Sequence, residues 1–316
     1  MDDGRRRSRP RRLTLKTSSS TSFAALAALA VVLAARTVSA QTFDAVGVRA
    51  QGMGGAFVAV ADDASATWWN PAGLGSHAVI GMTIEYDKVD DAPTNPLSQG
   101  VAFGYPALGL SYYRLPVNQF RLLTPTGLTV SGRQDQGVLN QYGISLGQSI
   151  GQHFVIATTV KIMRAADSSA EFDAAAMFSY GILRVGATVR NLRQASLTTD
   201  GGNVLQLERQ TRAGAAVTGH TKGQIETATA SFDIDLRKTH TFWGEERRVA
   251  GGAEIWTRGR TFGFRGGFSA NTVDDTTTRS AGVSLALHRG VYLEGQLTGG
   301  SDVSRKGWSS GLRLTF

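Results

Sequence analysis

The stretch Trp308-Ser309-Ser310-Gly311-Leu312-Arg313-Leu314-Thr315-Phe316 decides how the rest of the chain is read. In an extended strand successive side chains alternate between faces. Trp308, Ser310, Leu312, Leu314 and Phe316 therefore share one side, and Ser309, Gly311, Arg313 and Thr315 share the other. One side is apolar and the other carries an arginine. That division suits a transmembrane β-barrel, whose outer face meets hydrocarbon and whose lumen is polar.

Working outward, the same period of two recurs from His77 onward in about fourteen segments of barrel-strand length. Ile80, Met82, Ile84 and Tyr86 oppose Gly81, Thr83 and Glu85. Phe154, Ile156, Val160 and Ile162 oppose Ala157, Thr159 and Lys161. Leu183, Val185 and Val189 oppose Arg184 and Arg190, while Phe232 and Ile234 oppose Asp233 and Asp235. Phe262, Phe264 and Phe268 oppose Arg265 and Ser269; Val283 and Leu285 oppose Ser284 and His288. Connections alternate between short ones, such as His288-Arg289-Gly290, and longer ones, such as Ala270 to Thr277, the rhythm of periplasmic turns and extracellular loops. A soluble β-sandwich gives the same alternation with inside and outside exchanged, so periodicity alone does not separate the two.

The beginning of the chain reads as an export address. Seven basic residues between Arg5 and Lys16 precede a short apolar run, Phe23 to Ala35, and Val38-Ser39-Ala40 offers a small-residue cleavage site. Residues 1–40 are thus expected to be a signal peptide. They hold 8 of the 33 basic and 2 of the 25 acidic side chains, which leaves 25 against 23 and removes the main support for a nucleic-acid partner. With no cysteine in the chain, disulfides, thiolate metal sites and a cysteine nucleophile are excluded. No run of about eighteen apolar residues follows position 40, so a membrane is expected to be crossed by strands.

Between leader and first strand lies a different text, Arg49 to Leu74, R-A-Q-G-M-G-G-A-F-V-A-V-A-D-D-A-S-A-T-W-W-N-P-A-G-L. Gly52, Gly54 and Gly55 permit a tight turn, Asp62, Asp63 and Ser65 offer caps for a following turn of helix, and Asn70-Pro71 breaks what precedes it. The string from Gly52 onward resembles the N-terminal signature of the FadL-like outer-membrane family and its PorV/PorQ relatives, with Asn70, Pro71 and Ala72 matching the family's N-P-A element. A closing Phe316 resembles the assembly signal of bacterial outer-membrane barrels. The resemblance implies an all-β fold, a transmembrane antiparallel barrel of about 14 strands over residues 77–316, with residues 41–76 folded inward as a plug or hatch. Hatch and gate would be formed by Gly52, Met53, Gly54, Gly55, Phe57, Asp62, Asp63, Trp68, Trp69, Asn70, Pro71 and Ala72.

Transport members of that family pass hydrophobic molecules such as fatty acids or hydrocarbons, and PorV-type members serve protein secretion. The resemblance therefore implies a Gram-negative outer membrane, with its lipid and the barrel-assembly machinery as partners, and either a hydrophobic small-molecule ligand or secretion-system proteins. No enzyme activity and no cofactor are expected. The 276 residues after position 40 are few for a transport member, which leaves little for long ligand-capture loops.

Other constellations have ordinary readings. The run of Gly52, Gly54 and Gly55 lacks both the lysine and a third properly spaced glycine of a nucleotide loop. The acidic pair and its neighbours lack the spacing and closing glutamate of a calcium loop. Glu85, Lys161, Glu171, Asp173, Arg184, Arg190, Arg212, Asp233, Asp235, Glu254, Arg265, Glu294 and Arg313 are expected to face the lumen, where they either line a pore or pair across strands. Five histidines show no metal-ligand spacing. Ser284 and His288 share an expected face, the one pair that suggests a barrel-embedded hydrolase. Trp68 and Trp69 are expected to anchor the hatch, and Trp243, Trp256, Trp308, Tyr86 and Tyr292 to belt the membrane interface.

Overall fold

The computed structural model describes residues 46–75, 80–90, 97–118, 136–198, 204–241 and 244–316. The leader expected over residues 1–40, Trp243 and the first residues of the expected hatch lie outside that set. Fourteen antiparallel strands close into a barrel, the number counted from the periodicity.

In chain order the wall begins with β1 (Gly81–Val89), β2 (Leu97–Tyr105), β3 (Leu108–Asn118), β4 (Gln136–Ile150), β5 (Phe154–Arg164), β6 (Ser168–Tyr180) and β7 (Leu183–Arg190). A hairpin of β8 (Ser196–Thr198) and β9 (Val204–Gln206) follows outside the wall sheet. The wall resumes with β10 (Gln210–His220) and β11 (Ile225–Asp235), and a second hairpin joins β12 (Thr239–Thr241) to β13 (Gly244–Glu246). The wall then continues through β14 (Arg248–Thr257), β15 (Phe262–Asn271), β16 (Thr277–His288), β17 (Val291–Gly300) and β18 (Gly307–Thr315). Closure comes from β1 pairing with β18, Met82 opposite Leu314 and Ile84 opposite Leu312. Beyond the register, the Phe316 amide donates to the Ile80 carbonyl at 2.8 Å.

Connections at one end are tight. Ala107, Gly181 and Gly290 take φ of 65°, 59° and 77° in two-residue turns, the left-handed backbone that matches strand twist in a hairpin. The opposite end carries both extra hairpins and the longer connections, and is called here the loop end.

Parity fixes inside and outside. Phe262, Phe264 and Val283 are 46%, 47% and 53% exposed on the outer face, whereas Arg265, Ser284 and Arg313 are buried toward the interior. A folded wall with its apolar rows outward and its arginines enclosed is the reverse of a soluble sandwich, and matches what hydrocarbon demands of a barrel. Among the described residues no helix is long and apolar enough to cross a membrane, which says nothing of a strand-built wall.

Two expectations about facing differ from the structure. The register slips between Ala286 and His288, so His288 leaves the inward row and is exposed while Ser284 stays buried. A bulge resets the period of two, and sequence alternation cannot show it. Trp256 and Tyr292 point inward and are buried, because their positions share parity with Glu254 and Glu294; Tyr86 and Trp308 do lie on the outer face.

Candidate functional site

The interior of the barrel is occupied by residues 46–75. This segment contains α1 (Val48–Gly52), α2 (Ala66–Trp69) and a 3-10 turn, Pro71–Gly75. Helices of five and four residues have no independent stability, so the wall must hold them. Met53, Phe57, Trp69, Asn70 and Ala72 are wholly buried, and Trp68, Pro71, Gly52 and Gly55 are buried beside them.

Anchors reach the segment from several strands. On β1 the Glu85 carboxylate accepts the amides of Gly47 (3.0 Å) and Val48 (3.3 Å), two donors at the start of α1 that no helical carbonyl satisfies. Gln51 donates to Asp87 (2.9 Å) and accepts from Gln296 of β17 (2.7 Å). Asp233 of β11 accepts the amides of Phe57 (2.9 Å) and Val58 (2.8 Å), and Ser231 donates to the Ala56 carbonyl (2.6 Å). Asn70 donates to the carbonyls of Val58 (2.9 Å) and Ala176 on β6 (3.3 Å) and accepts the Ala72 amide (3.1 Å). The N-P-A element thereby ties the segment to itself and to the wall. Trp69 donates to the Val46 carbonyl (3.0 Å), while Trp68 packs edge-on to Tyr113 with the Arg190 guanidinium 3.7 Å from its ring centre.

Gly54 adopts φ of 69°, and a Cβ there would sit 2.7 Å from the Phe268 amide nitrogen. Only glycine accommodates both the backbone and that close approach.

Arg49 is the hub. Its Nε and Nη2 hold both oxygens of Glu254 on β14 at 2.8 and 2.6 Å, a bidentate clamp, and its Nη1 reaches Asp63 at 3.2 Å and Asp62. Burial works against its charge, and the carboxylates of Asp62 and Glu254 more than offset this, so its pKa is raised. Asp62 and Asp63 thus serve a guanidinium. Asp63 also accepts the Ser65 amide (2.9 Å) and hydroxyl, whereas Ser65 makes no side-chain cap to α2. Capping by Ser65, as expected from sequence, is replaced by this turn.

The remaining charged positions also face inward. Lys161 pairs with Asp173 (2.8 Å), Arg212 with Asp235 (2.6 Å), and Glu294 lies between Arg313 (3.1 Å) and Arg265 (3.5 Å). Arg190 lies 3.9 Å from Asp173, and Glu171 accepts the amides of Arg193 (3.1 Å) and Ala195. Arg184 donates to the Val60 carbonyl of the inward segment (3.3 Å). These groups cross-pair or hold the segment; they do not form a ring around an open bore. A cavity of about 480 Å³ remains toward the tight-turn end, lined by Arg49, Asp62, Arg184, Glu254, Trp256 and Arg313 among others.

Ser284 donates to Glu294 (2.7 Å) and contacts Arg265, far in role from the exposed His288. Among the described residues no three histidine, aspartate or glutamate side chains gather as metal ligands.

Two features escaped the sequence. Leu197, Leu205 and Leu207, from the β8–β9 hairpin and the residue after it, bury themselves with Leu115, Leu139 and Met163 in the apolar cluster at the loop end. An ionic cluster ties Arg248 to Asp302 and to Glu246 (3.3 Å), and Arg305 to Glu246 (3.1 Å) and Asp302 (3.7 Å). Asp302 lies in the β17–β18 connection. Burial alone would raise its pKa, but the guanidiniums of Arg248 and Arg305 and the Ser304 hydroxyl outweigh that and lower it. A lowered carboxylate contributes stability that is present above its ordinary value of 3.8 and is lost as pH falls through the lowered one. The Ser304 amide, 3.0 Å from Asp302 Oδ1, is expected to keep its hydrogen-exchange protection as pH falls to the ordinary carboxylate value and to lose it only further below, as the lowered carboxyl protonates, and to lose it at neutral pH in Asp302→Ala, which removes the acceptor. Full protection in that variant at neutral pH would contradict the assignment.

No protein-family model matches the chain, and no curated protein is similar to it in sequence. Solved structures are similar in fold. The Ralstonia pickettii toluene transporter TbuX aligns with a TM-score of 0.56 at 13% identity over 87% of this chain and 99% of its own. The monoaromatic hydrocarbon channel CymD aligns at 0.52 and 11% identity, over 87% and 97%. The Pseudomonas putida toluene transporter TodX aligns at 0.50 and 10% identity, over 89% and 98%.

Proposed function

We propose that this chain, which has a FadL-like barrel fold, lets small hydrophobic molecules cross the outer membrane of a Gram-negative bacterium by diffusion. The observation that carries the reading is that the solved barrels it resembles in fold, over nearly their whole length, are a toluene transporter, a hydrocarbon channel and a second toluene transporter. Residues 41–76 act as the hatch, and its seating on Glu85, Asp233 and Glu254 supports a gate that rests closed. Residues 1–40 are a cleaved signal peptide and 77–316 the transmembrane wall. Phe316, the assembly signal, is read as the barrel is built.

An apolar solute gains little in a charged lumen and much in hydrocarbon, so release into the bilayer is favoured over passage through the polar cavity. Fatty-acid-like and hydrocarbon-like solutes both fit this logic. A second reading, an accessory barrel of a protein-secretion system in the manner of PorV and PorQ, draws support from the paired charges that fill the interior. One measurement separates them. Liposomes carrying the barrel are expected to take up a hydrophobic fluorescent probe faster than empty ones, and deletion of Met53 to Asn70 to change the rate; equal rates in all three favour the accessory role.

A further inference from the structure

On the outer face near the loop end, Arg114 of β3 stands opposite Asn140 of β4, and Asn140 opposite Arg164 of β5. Neighbouring strands lie about 4.8 Å apart, so the two arginine backbones are about 10 Å apart with the asparagine midway. Both arginines are exposed, and neither has a carboxylate partner among the described residues. Tyr112 donates its hydroxyl to Asn140 Oδ1 at 2.9 Å, which occupies the amide oxygen and leaves the amide's two N–H donors for another acceptor. The row therefore presents hydrogen-bond donors and positive charge with no carboxylate among the described residues to meet them.

The surrounding wall has the same bias. The carboxylates in β2 to β6 are Glu171 and Asp173, and both are buried inside the barrel. Asp167, in the β5–β6 connection, accepts the Thr198 amide at 2.9 Å. The outer face of these five strands carries two arginines and no acid. Below the row, toward the middle of the wall, lie Tyr142, Ile144 and Ile162, 47%, 53% and 54% exposed, a surface fitted to acyl chains.

We propose that Arg114, Asn140 and Arg164 dock the phosphate headgroup of an anionic lipid in the leaflet at the loop end. Arginine forks onto phosphate oxygens with charge-assisted hydrogen bonds, and the lipid's chains continue down the apolar surface beneath. The inference rests on the wall spanning a bilayer and is independent of what the barrel transports.

Delipidated full-length protein is to be examined by native mass spectrometry with phosphatidic acid, a phosphomonoester lipid, and with zwitterionic phosphatidylcholine. Arg114→Gln, Arg164→Gln and the double variant are compared, with Arg279→Gln, an exposed arginine on β16, as control. Heat-modifiable gel mobility checks that each barrel is folded. Phosphatidic acid is expected to be retained in preference, about fivefold more weakly for each arginine removed. The control is expected to behave as the native protein, and equimolar inorganic phosphate to leave the lipid in place. Equal retention by the double variant, an equal loss in Arg279→Gln, or displacement by inorganic phosphate would each overturn the proposal.

Discussion

Arg49→Met is expected to unseat the inward segment while leaving the wall closed. The guanidinium is buried against Asp62, Asp63 and Glu254, and a methionine of similar volume leaves three carboxylates facing one another with Arg184 4.0 Å from Asp62 and Arg265 4.0 Å from Glu254. Removing one partner from a buried ion cluster costs about 3–5 kcal/mol. That cost falls on the contact between segment and wall, because the strands keep their own ladders of hydrogen bonds. In planar bilayers the variant should pass larger and noisier currents than the native barrel. Limited proteolysis should cut between residues 46 and 75 in the variant and spare them in the native protein, where they are buried inside the barrel. Adding Glu254→Gln should recover part of the loss by removing one unmatched charge. Native currents and native protection in Arg49→Met would mean that backbone contacts such as Asp233 with Phe57 and Val58 suffice to hold the segment.

Val283→Arg carries the second large effect and bears on the wall itself. Val283 is 53% exposed midway along β16, between Phe264 and Gly295 on the neighbouring strands. An arginine at the midplane of a barrel's lipid face costs about 2–4 kcal/mol, and one on a water-facing surface costs almost nothing. Unfolding by guanidinium in phospholipid vesicles should show the full cost for Val283→Arg and little change for Val283→Leu. Equal midpoints for the two variants would place this face in water and remove the basis for a membrane role.

Much of the wall was legible because a strand repeats every two residues and each barrel position has only two directions to point. Phe262, Arg265, Ser284 and Arg313 took the faces their parity gave them. That rule fails wherever the ladder slips, as at His288; at Trp256 and Tyr292 it held, and the girdle expectation failed because it followed residue type where parity with Glu254 and Glu294 pointed inward. Partners were less legible than faces. Arg49 and Glu254 are separated by 205 residues, and nothing in either local pattern announces the other. The N-P-A element drew notice from resemblance, whereas Arg49, quoted only as the first residue of the stretch, emerged as its hub only from the folded interior. The loop-end cluster around Asp302 was hidden for a different reason. Arg248, Glu246 and Arg305 come from three connections or strand ends, where no periodicity operates.

The seam between β1 and β18 sets the order in which this molecule becomes safe. Every other strand finds its neighbour from nearby in the chain, but Gly81 to Val89 must wait for Gly307 to Thr315. Until that zipper closes, two naked edges offer unpaired amides and carbonyls to any passing strand, and in hydrocarbon such edges are intolerable. Truncation before Gly307 would leave the sheet permanently ajar. Such a fragment would keep both edges open, so the last wall strand acts as a completeness check on the fold.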